Sequence, residues 1–375
     1  MKLPASTPAL ALSGKHLTCG LATLSTIVLL GLDAFYDVSS SFSFPFWSAA
    51  LLTAICGYWG VPWLRALKTG QFIREDGPQA HLKKAGTPTM GGILFVPGSA
   101  LLATVLAYSI PGFESADRLT VLGVAVLTLA YGAIGWIDDW QVLRRKSNKG
   151  ISPRTKLVLQ IAGAVLFCGW MSWRAGSGFA IDPTQIIFPG GITLSLGLLF
   201  WPLAGFTIVA ESNATNLTDG LDGLMGGTGA LAFLGLGAIV APTSPALAVF
   251  CACMAGGCLG FLFFNRNPAR VFMGDTGSLA LGAALAGVAI ATNALFGLLL
   301  VTGLFFFETL SVIVQVSYYK ATKDENGIGK RIFKMAPFHH HLELCGWSEL
   351  NVVLAFYGIT AALGFLAFGL CAAKP

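Results

Sequence analysis

The polar stretch Asn213–Leu224 has the residue types and the spacing of a reaction site. It carries two carboxylates, Asp219 and Asp222, with two asparagine amides and two threonine hydroxyls, and it contains no Lys or Arg. Apolar runs flank it on both sides, so these groups lie where one hydrophobic segment ends and the next begins. Its two glycines allow backbone turns that residues with a Cβ resist. An ordinary connecting loop does not need this set of side chains, which predicts a functional role for the stretch.

Three further carboxylates lie at the ends of apolar runs. Asp138 and Asp139 are adjacent, and two such acids at the membrane end of a helix are costly to bring together unless a cation or a proton offsets their charge. Metal coordination, or one carboxylate serving as a base, would account for them; the alternative is a solvated helix end. Asp275 follows Gly274 and begins a helix, where backbone N–H groups hold phosphate. Its oxygen-rich surroundings suit Mg²⁺, and the alternative is a simple helix N-cap.

Basic residues and histidines form two more polar clusters. Lys84 precedes Thr87-Pro88-Thr89 and could hold an anionic ligand at a helix start; the alternative is a basic loop near anionic lipid headgroups. The consecutive histidines 339–341 cannot all point one way, so one or two of them could bind a pyrophosphate or stabilise a metal-bound acid. Glu308 lies in the preceding apolar run and is a functional candidate because acids within a bilayer are costly. A basic belt able to meet phosphates follows the acid pair: Arg144, Arg145, Lys146, Lys149 and Lys156.

The elements that must position these clusters are membrane helices. Of 375 residues, 55% are hydrophobic and 11% are charged, with a mean hydropathy of +0.72, whereas a soluble domain carries roughly 25% charged residues. No water-soluble core could bury this much apolar sequence, so the composition predicts a polytopic membrane protein. The eight cysteines lack the spacing of a zinc or redox site, which favours packing roles for them.

Eleven apolar runs predict an all-α bundle of about 10–11 transmembrane helices whose functional loops face the cytoplasm. Membrane strands alternate in hydrophobicity and these runs do not, so a sheet is not expected. The first run is interpreted as an uncleaved anchor rather than a signal peptide. The predicted spans are Leu17–Ala34, Phe46–Leu64, Gly91–Ile110, Leu119–Ile137, Leu157–Trp173, Leu194–Ala210, Leu224–Ala241, Ala246–Phe264, Ser278–Thr292, Leu295–Val316 and Val352–Leu370.

The positions of Lys and Arg predict the orientation of the bundle. Four connections hold 18 of the 23 basic residues, and an even number of spans separates each pair, so all four lie on one side, the cytoplasm. The stretch Asn213–Leu224 falls on that side, and the same parity places Met1 inside the cell. Five polar clusters therefore meet at one membrane surface. Their acids, amides and cations suit a nucleotide-diphosphate substrate and a lipid phosphate, and no nucleic-acid partner is expected.

The clusters resemble the motifs of the polyprenyl-phosphate N-acetylhexosamine-1-phosphate transferases, in particular those that transfer the phospho-muramoyl-pentapeptide. The likeness runs from about residue 46 to residue 368. It divides the chain into an N-terminal segment, 1–45, that contains the extra predicted helix, and a transmembrane transferase domain, 46–375. The matching motifs, in order, are Thr87–Gly92, Asp138–Asp139, Asn213–Asp222, Asn265–Ser278 and Ala336–Glu343.

The resemblance implies a reaction and a set of roles. Phospho-N-acetylmuramoyl-pentapeptide passes from its UDP-linked form to undecaprenyl phosphate in the bacterial inner membrane, UMP is released, and Mg²⁺ is required. Asp275 resembles the metal-binding acid, and Asp138 and Asp139 resemble the catalytic pair and are further candidate metal ligands. Assembly as a homodimer is an open alternative. The implied substrate pocket contains Lys84, Thr89, Lys149, Asn213, Asn216, Asp219, Asp222, Asn265, Phe272, Gln315, His339, His340 and His341.

Two departures and two rival functions accompany this interpretation. The family has a lysine three residues after its acid pair, where this chain has Val142, and Arg144, Arg145 or Lys149 is the candidate replacement. The family commonly has ten spans, so Leu17–Ala34 is either an extra span or a helix along the outer surface.

One rival function is that of a sibling that transfers N-acetylglucosamine-1-phosphate and typically lacks the histidine motif. The other is a transporter, whose site would lie near mid-membrane.

Overall fold

The computed structural model describes residues 12–36, 41–67, 84, 86–145, 150–175 and 184–371, and this part of the chain is mostly helical. A 3₁₀ turn over Gly91–Leu94 precedes the third helix. The elements are α1 (Gly14–Tyr36), α2 (Ser43–Ala66), α3 (Val96–Ser109), α4 (Ser115–Arg145), α5 (Pro153–Ala175), β1 (Gln185–Ile187), β2 (Thr193–Ser195), α6 (Phe200–Thr218), α7 (Leu224–Val240), α8 (Pro245–Asn265), α9 (Gly274–Ala291), α10 (Leu295–Val301), α11 (Gly303–Ala321), α12 (Phe338–Leu344) and α13 (Glu349–Cys371).

Eight of the described helices are long and apolar enough to cross a membrane. The number becomes nine if α10 and α11, which meet at a bend of 74°, form one broken span. Each of the eleven predicted runs overlaps a helix, but α6 and α7 fall outside this count, and α7 is a shorter apolar helix. The prediction of an all-α polytopic membrane bundle is confirmed.

The predicted span Leu194–Ala210 is wrong at its beginning. Its first residues form strand β2, which pairs antiparallel with β1 in the register Gln185↔Ser195. Gly190 and Gly191 both have φ of 77°, a backbone conformation that residues with a Cβ resist, and they turn the chain back on itself between the two strands. Because β2 and a 3₁₀ turn over Gly197–Leu199 take up these apolar residues, α6 begins only at Phe200.

Helices α8 and α9 form the centre of the bundle, where nearly all their residues are buried. Small residues let neighbouring backbones approach α9 closely, as is common between membrane helices. A Cβ on Gly135 of α4 would overlap the backbone carbonyl of Asp275, and a Cβ on Gly92 would overlap the backbone of Gly277. Glycines at these two positions therefore determine how closely the end of α4 and the segment before α3 approach the start of α9.

Helix α1 lies along the bundle from one end to the other. A Cβ on Gly14 would overlap the backbone of Asn267, and the Tyr36 hydroxyl donates a hydrogen bond of 2.9 Å to the carbonyl of Ala238. Asp33 accepts a 2.6 Å bond from the Phe42 N–H and so ties α1 to the start of α2. The α6–α7 connection, the α8–α9 connection and α12 share one end of the bundle, called the site face below, and α1 begins there.

Candidate active site

Asp139, at the site-face end of α4, caps the first turn of α9. Its carboxylate accepts hydrogen bonds from the Thr276 hydroxyl at 2.6 Å, the Thr276 N–H at 3.0 Å and the Asp275 N–H at 3.2 Å. The first N–H groups of a helix have no partner within that helix, and side-chain oxygens satisfy them. Buried Asp139 supplies this cap from another helix. The Asp275 carboxylate is therefore free for other contacts.

Asp275 lies between α5 and α6. One of its oxygens accepts a 2.7 Å hydrogen bond from the Asn216 amide, and the other forms an ion pair with Lys156. The Asn216 amide also donates to the Ser278 hydroxyl at 2.9 Å, which fixes the amide between two residues of the first turn of α9. The carboxylate, its amide partner and its cation thus come from three different helices.

Lys156 is the basic residue that the sequence reasoning placed only in a general belt. Arg144 and Arg145 are exposed at the end of α4, and Arg145 donates to the Gly150 carbonyl at 2.9 Å rather than to an acid. Lys149 and Lys146 lie outside the described residues. Lys156 contacts Asp275 and lies close enough to Asp138 and Asp139 to interact electrostatically with both. Its signal in the sequence was a lysine immediately before the next predicted span, 17 residues beyond Asp139.

Asp138 faces the start of α5. One carboxylate oxygen accepts a 2.8 Å hydrogen bond from the Ile151 N–H, and a Cβ on Gly150 would overlap the same carboxylate. Asp138 also interacts electrostatically with Asp275 and Lys156. It therefore borders the same group of charges, but fewer of its hydrogen-bonding positions are occupied than those of Asp139.

Asp219 has no partner among the described residues that would offset a negative charge on its carboxylate. Its partly buried carboxylate has no hydrogen-bond or ion-pair partner within the described residues. Burial raises the pKa of Asp219 well above its usual range, and the nearby carboxylates of Asp275, Asp139 and Asp222 raise it further. A carboxyl group in this position is either protonated or in need of an additional cation.

The donor set fits Mg²⁺ that is held jointly with a substrate. Across the described ranges, no three His, Cys, Asp or Glu side chains are arranged so that they alone could hold a metal ion. Mg²⁺ commonly uses one or two carboxylates and completes its shell with waters and substrate phosphates. Asp219 and Asp275 offer such carboxylates, with Asp138 nearby. Asp139 is engaged by α9, and its assignment as a metal ligand stays a prediction.

Lys84 and Asp222 meet beside this group of acids. The Lys84 ammonium lies 2.7 Å from Asp222 and 2.6 Å from Glu349 at the start of α13. Burial lowers the pKa of Lys84, but the carboxylates of Glu349 and Asp222 outweigh burial and raise it. Sequence reasoning missed Glu349. An acid at the site-face end of the last apolar run is the same signal that identified Asp138, and it could have found Glu349.

Three other predicted pocket residues hold the connections together. The Asn265 amide accepts a 3.1 Å bond from the Gly223 N–H and donates one of 2.9 Å to the Val271 carbonyl. The Phe272 backbone pairs with Pro88 and Gly91 at 2.8 Å each. Thr89 is buried beside Gly274. These contacts align the segment before α3 with the segment before α9.

The remaining predicted residues are more dispersed. The Asn213 amide lies deeper in the bundle and donates to Gln160 of α5 at 3.0 Å. Gln315 accepts 3.0 Å bonds from the Ile332 and Phe333 N–H groups and so braces the segment before α12. These positions separate Asn213 and Gln315 from the acids that surround Asp275.

The three histidines of α12 point in different directions, as their adjacency requires. His339 is fully buried, with Nδ1 3.1 Å from Glu308 and Nε2 facing Gly220 of the α6–α7 connection. His340 lies 2.9 Å from Glu343, and His341 accepts a 3.1 Å bond from the Lys334 N–H. The intramembrane acid Glu308 thus has a histidine partner, and His339 joins α11 to the loop of Asp219.

Comparisons with known proteins agree on one family. Residues 121–293 match the model for glycosyl transferase family 4, and residues 84–96 match signature 1 of phospho-N-acetylmuramoyl-pentapeptide-transferase. The chain is 62% identical to the Nostoc punctiforme phospho-N-acetylmuramoyl-pentapeptide-transferase over 87% of this chain and 86% of the relative. It is 57% identical to the enzyme of the same name from Rippkaea orientalis over 98% of each chain, and 61% identical to that of Synechococcus elongatus over 83% of each.

Proposed function

The chain belongs to the phospho-N-acetylmuramoyl-pentapeptide-transferase family, and we propose that the acids around Asp275 carry out that transfer with Mg²⁺. The enzyme transfers phospho-N-acetylmuramoyl-pentapeptide from UDP to a lipid acceptor, for which we propose undecaprenyl phosphate, and releases UMP. One observation carries the proposed site: Asp275 is held between Lys156 and Asn216 beside three other carboxylates, of which Asp219 has no neutralising partner among the described residues.

The site residues would hold the diphosphate of the nucleotide substrate. Asp275 and Asp219 would share a bound Mg²⁺ with the phosphate oxygens, and Mg²⁺ would supply the positive charge that stabilises the departing phosphate of UMP. Lys156 lies where it can neutralise charge on the same diphosphate. In the transfer, the bond between the β-phosphorus and the oxygen that bridges the two phosphates breaks, and UMP leaves with that oxygen. The β-phosphorus forms a new bond to an oxygen of the acceptor phosphate.

Asp138 is the better placed of the acid pair to meet the acceptor. Asp139 is occupied by three bonds from the start of α9, whereas Asp138 accepts one described backbone bond. A lipid phosphate is largely ionised near pH 7 because its second pKa is about 6. Asp138 would therefore act as a base only for the fraction of the acceptor phosphate that still carries a proton.

The distribution of charge supports an orientation for the enzyme. Basic residues concentrate in the four connections on the predicted cytoplasmic side, and the acids of the site lie at the same ends of the spans. We therefore place the protein in the bacterial inner membrane with the site face toward the cytoplasm, where a UDP-linked substrate is accessible. A homodimer stays a prediction.

The Mg²⁺ assignment is tested by turnover of the two defined substrates with and without Mg²⁺. We expect no UMP release after chelation, and a fall of about 10²–10³-fold in kcat for Asp275→Asn, because the variant loses the charge that binds the metal. Asp324→Asn is the matched control, since Asp324 only closes an exposed turn through Asn326 and Ile328.

Undiminished turnover of Asp275→Asn would exclude the metal assignment. The same assay with UDP-N-acetylglucosamine tests the choice of sugar. Efficient turnover of that substrate would favour the sibling transferase instead.

A further inference from the structure

One carboxylate at the start of α13 joins three separate segments of the site face. Glu349 Oε1 accepts hydrogen bonds from the Lys84 ammonium at 2.6 Å and from the Asp222 N–H at 2.7 Å. Its Oε2 accepts a 2.9 Å bond from the Asn267 amide. The segment before α3, the α6–α7 connection and the α8–α9 connection therefore converge on a single side chain.

Helix α13 holds the α6–α7 connection at a second point. The Tyr357 hydroxyl, two turns further along the helix, donates a 2.7 Å hydrogen bond to the carbonyl of Gly223. A Cβ on Gly227 would overlap the Tyr357 ring, so α7 and α13 are in close contact there. Glu349 thus extends from a helix that is already fixed against the connection.

The Lys84 ammonium is oriented by two carboxylates and retains one donor. An ammonium has three N–H donors, and Asp222 and Glu349 accept two of them. The third has no partner within the described ranges. Because Lys has a long and flexible side chain, two fixed acceptors determine the direction in which the remaining donor points.

We propose that Glu349 is a positioning residue for the nucleotide pocket. It orients Lys84 and the backbone of Asp222 toward the UDP-linked substrate. This inference rests on the proposed function, in which Lys84 and Asp222 contact that substrate. Glu349 acts through these residues and does not touch the reacting phosphorus.

A purely structural cross-link is the competing explanation, and the two differ in which kinetic constant changes. A misdirected Lys84 weakens binding of the nucleotide substrate before and during the reaction alike, which raises KM and leaves kcat nearly unchanged. A loosened fold instead lowers the amount of active enzyme and affects both substrates equally. Among the described residues, the charged groups that face Lys84 are the carboxylates of Asp222 and Glu349.

The test compares Glu349→Gln with Glu325→Gln. Both variants remove one negative charge, but Glu325 is exposed and has no side-chain partner within the described residues. We expect Glu349→Gln to raise KM for the UDP-linked substrate about 10-fold or more, as for groups that orient a ligating side chain. KM for the lipid substrate and the melting temperature should stay close to those of Glu325→Gln.

Two further readouts separate positioning from stability. If Glu349 acts largely through Lys84, the effect of Glu349→Gln on KM shrinks in a Lys84→Ala background, because the coupled pair is non-additive. The alkaline limb of kcat/KM should also move to lower pH in Glu349→Gln, since the Glu349 carboxylate raises the pKa of Lys84.

Should Glu349→Gln fail to fold, Glu349→Asp, which keeps the charge but withdraws it by one methylene, is measured by the same criteria.

An unchanged KM, equal losses for both substrates, or full additivity with Lys84→Ala would overturn the proposal. Turnover by the unmodified enzyme keeps this result distinct from the Mg²⁺ assignment. If wild-type turnover with Mg²⁺ is absent, the proposed function fails; if it is present and KM of Glu349→Gln is unchanged, only the role of Glu349 fails.

Discussion

Gly274 stands at the point where the acid pair, Thr89 and the start of α9 meet. Its φ is +72°, in the left-handed region that residues with a Cβ rarely adopt. A Cβ there would lie 2.5 Å from the Asp139 carboxylate and 2.8 Å from the Thr89 hydroxyl. The cap that Asp139 forms on α9 therefore depends on a residue without a side chain immediately before Asp275.

We expect Gly274→Ala to reduce kcat about 10²-fold, because a displaced Asp139 shifts Asp275 out of alignment. Gly112→Ala is the control, since Gly112 also has a positive φ of +92° but its Cβ would meet nothing within 4 Å. That variant should lose roughly 1–2 kcal/mol of unfolding free energy and keep its activity. Kinetics and thermal unfolding of both variants check this, and equal kcat values would show that the contact with Asp139 is unimportant.

At the scale of elements, the contact between α4 and α9 determines how the acids face one another. Asp138 and Asp139 lie on α4, and Asp275 lies on the first turn of α9. Gly135, one turn before Asp139, packs directly on the Asp275 carbonyl. The separation of these two helices is therefore set within one turn of the residues that we propose as catalytic.

Gly135→Ala should force α4 away from α9 and lower kcat about 100-fold, which is typical of an ångström-scale displacement of catalytic groups. Gly132→Ala, nearly one turn earlier on α4, is the matched control. Its Cβ would meet the Thr276 carbonyl at 3.5 Å, an ordinary van der Waals contact. Turnover of the two purified variants decides between them, and a fully active Gly135→Ala would mean that the helices can shift without cost.

At the scale of the whole molecule, α1 adds a helix to the bundle that begins at the site face and ends beside Ala238. Its length and hydropathy are those of a membrane span. It packs beside α7, whose own start follows the site-face connection, and whether it spans the membrane or lies along the outer surface stays a prediction. This arrangement supports the prediction that the segment before α1 is cytoplasmic.

Cysteine labelling in intact cells tests that orientation. A cysteine introduced at Ser6, which lies outside the described residues, should be protected from an impermeant thiol reagent added from outside. Thr243→Cys, in the exposed connection between α7 and α8 at the opposite end, should react. Both variants are made after replacing exposed Cys19 and Cys345. Reaction at residue 6 from outside would contradict the placement of α1.

Apolar runs predicted the helices well because burial in a bilayer requires continuous hydrophobic segments with internally satisfied backbones. Leu224–Ala241 corresponds closely to α7, and Val352–Leu370 lies within α13. Leu194–Ala210 failed at its first residues because a short apolar strand has the same hydropathy as a helix end. The hairpin depends on the turn at Gly190 and Gly191, which an apolar count does not register.

The site was only partly predictable. Residue type and position at span ends identified Asp138, Asp219 and Asp275, and these acids interact in the structure. The same reasoning could not separate Asn213, which pairs with Gln160, from Asn216, which contacts Asp275. A separation of three residues on a helix leaves both on neighbouring faces, and only packing against α5 and α9 decides which one meets the acid.

The sequence by itself determined that the chain is a bundle of membrane helices and that its acids, amides and cations gather at one end, because hydropathy and charge act locally and are readable residue by residue. Tertiary structure alone decided the pairings: Lys156 with Asp275, Asp139 with α9, and Glu349 with Lys84, Asp222 and Asn267. Such pairings join residues up to 265 positions apart. They depend on the directions of helix axes and on glycine contacts, which no local pattern specifies.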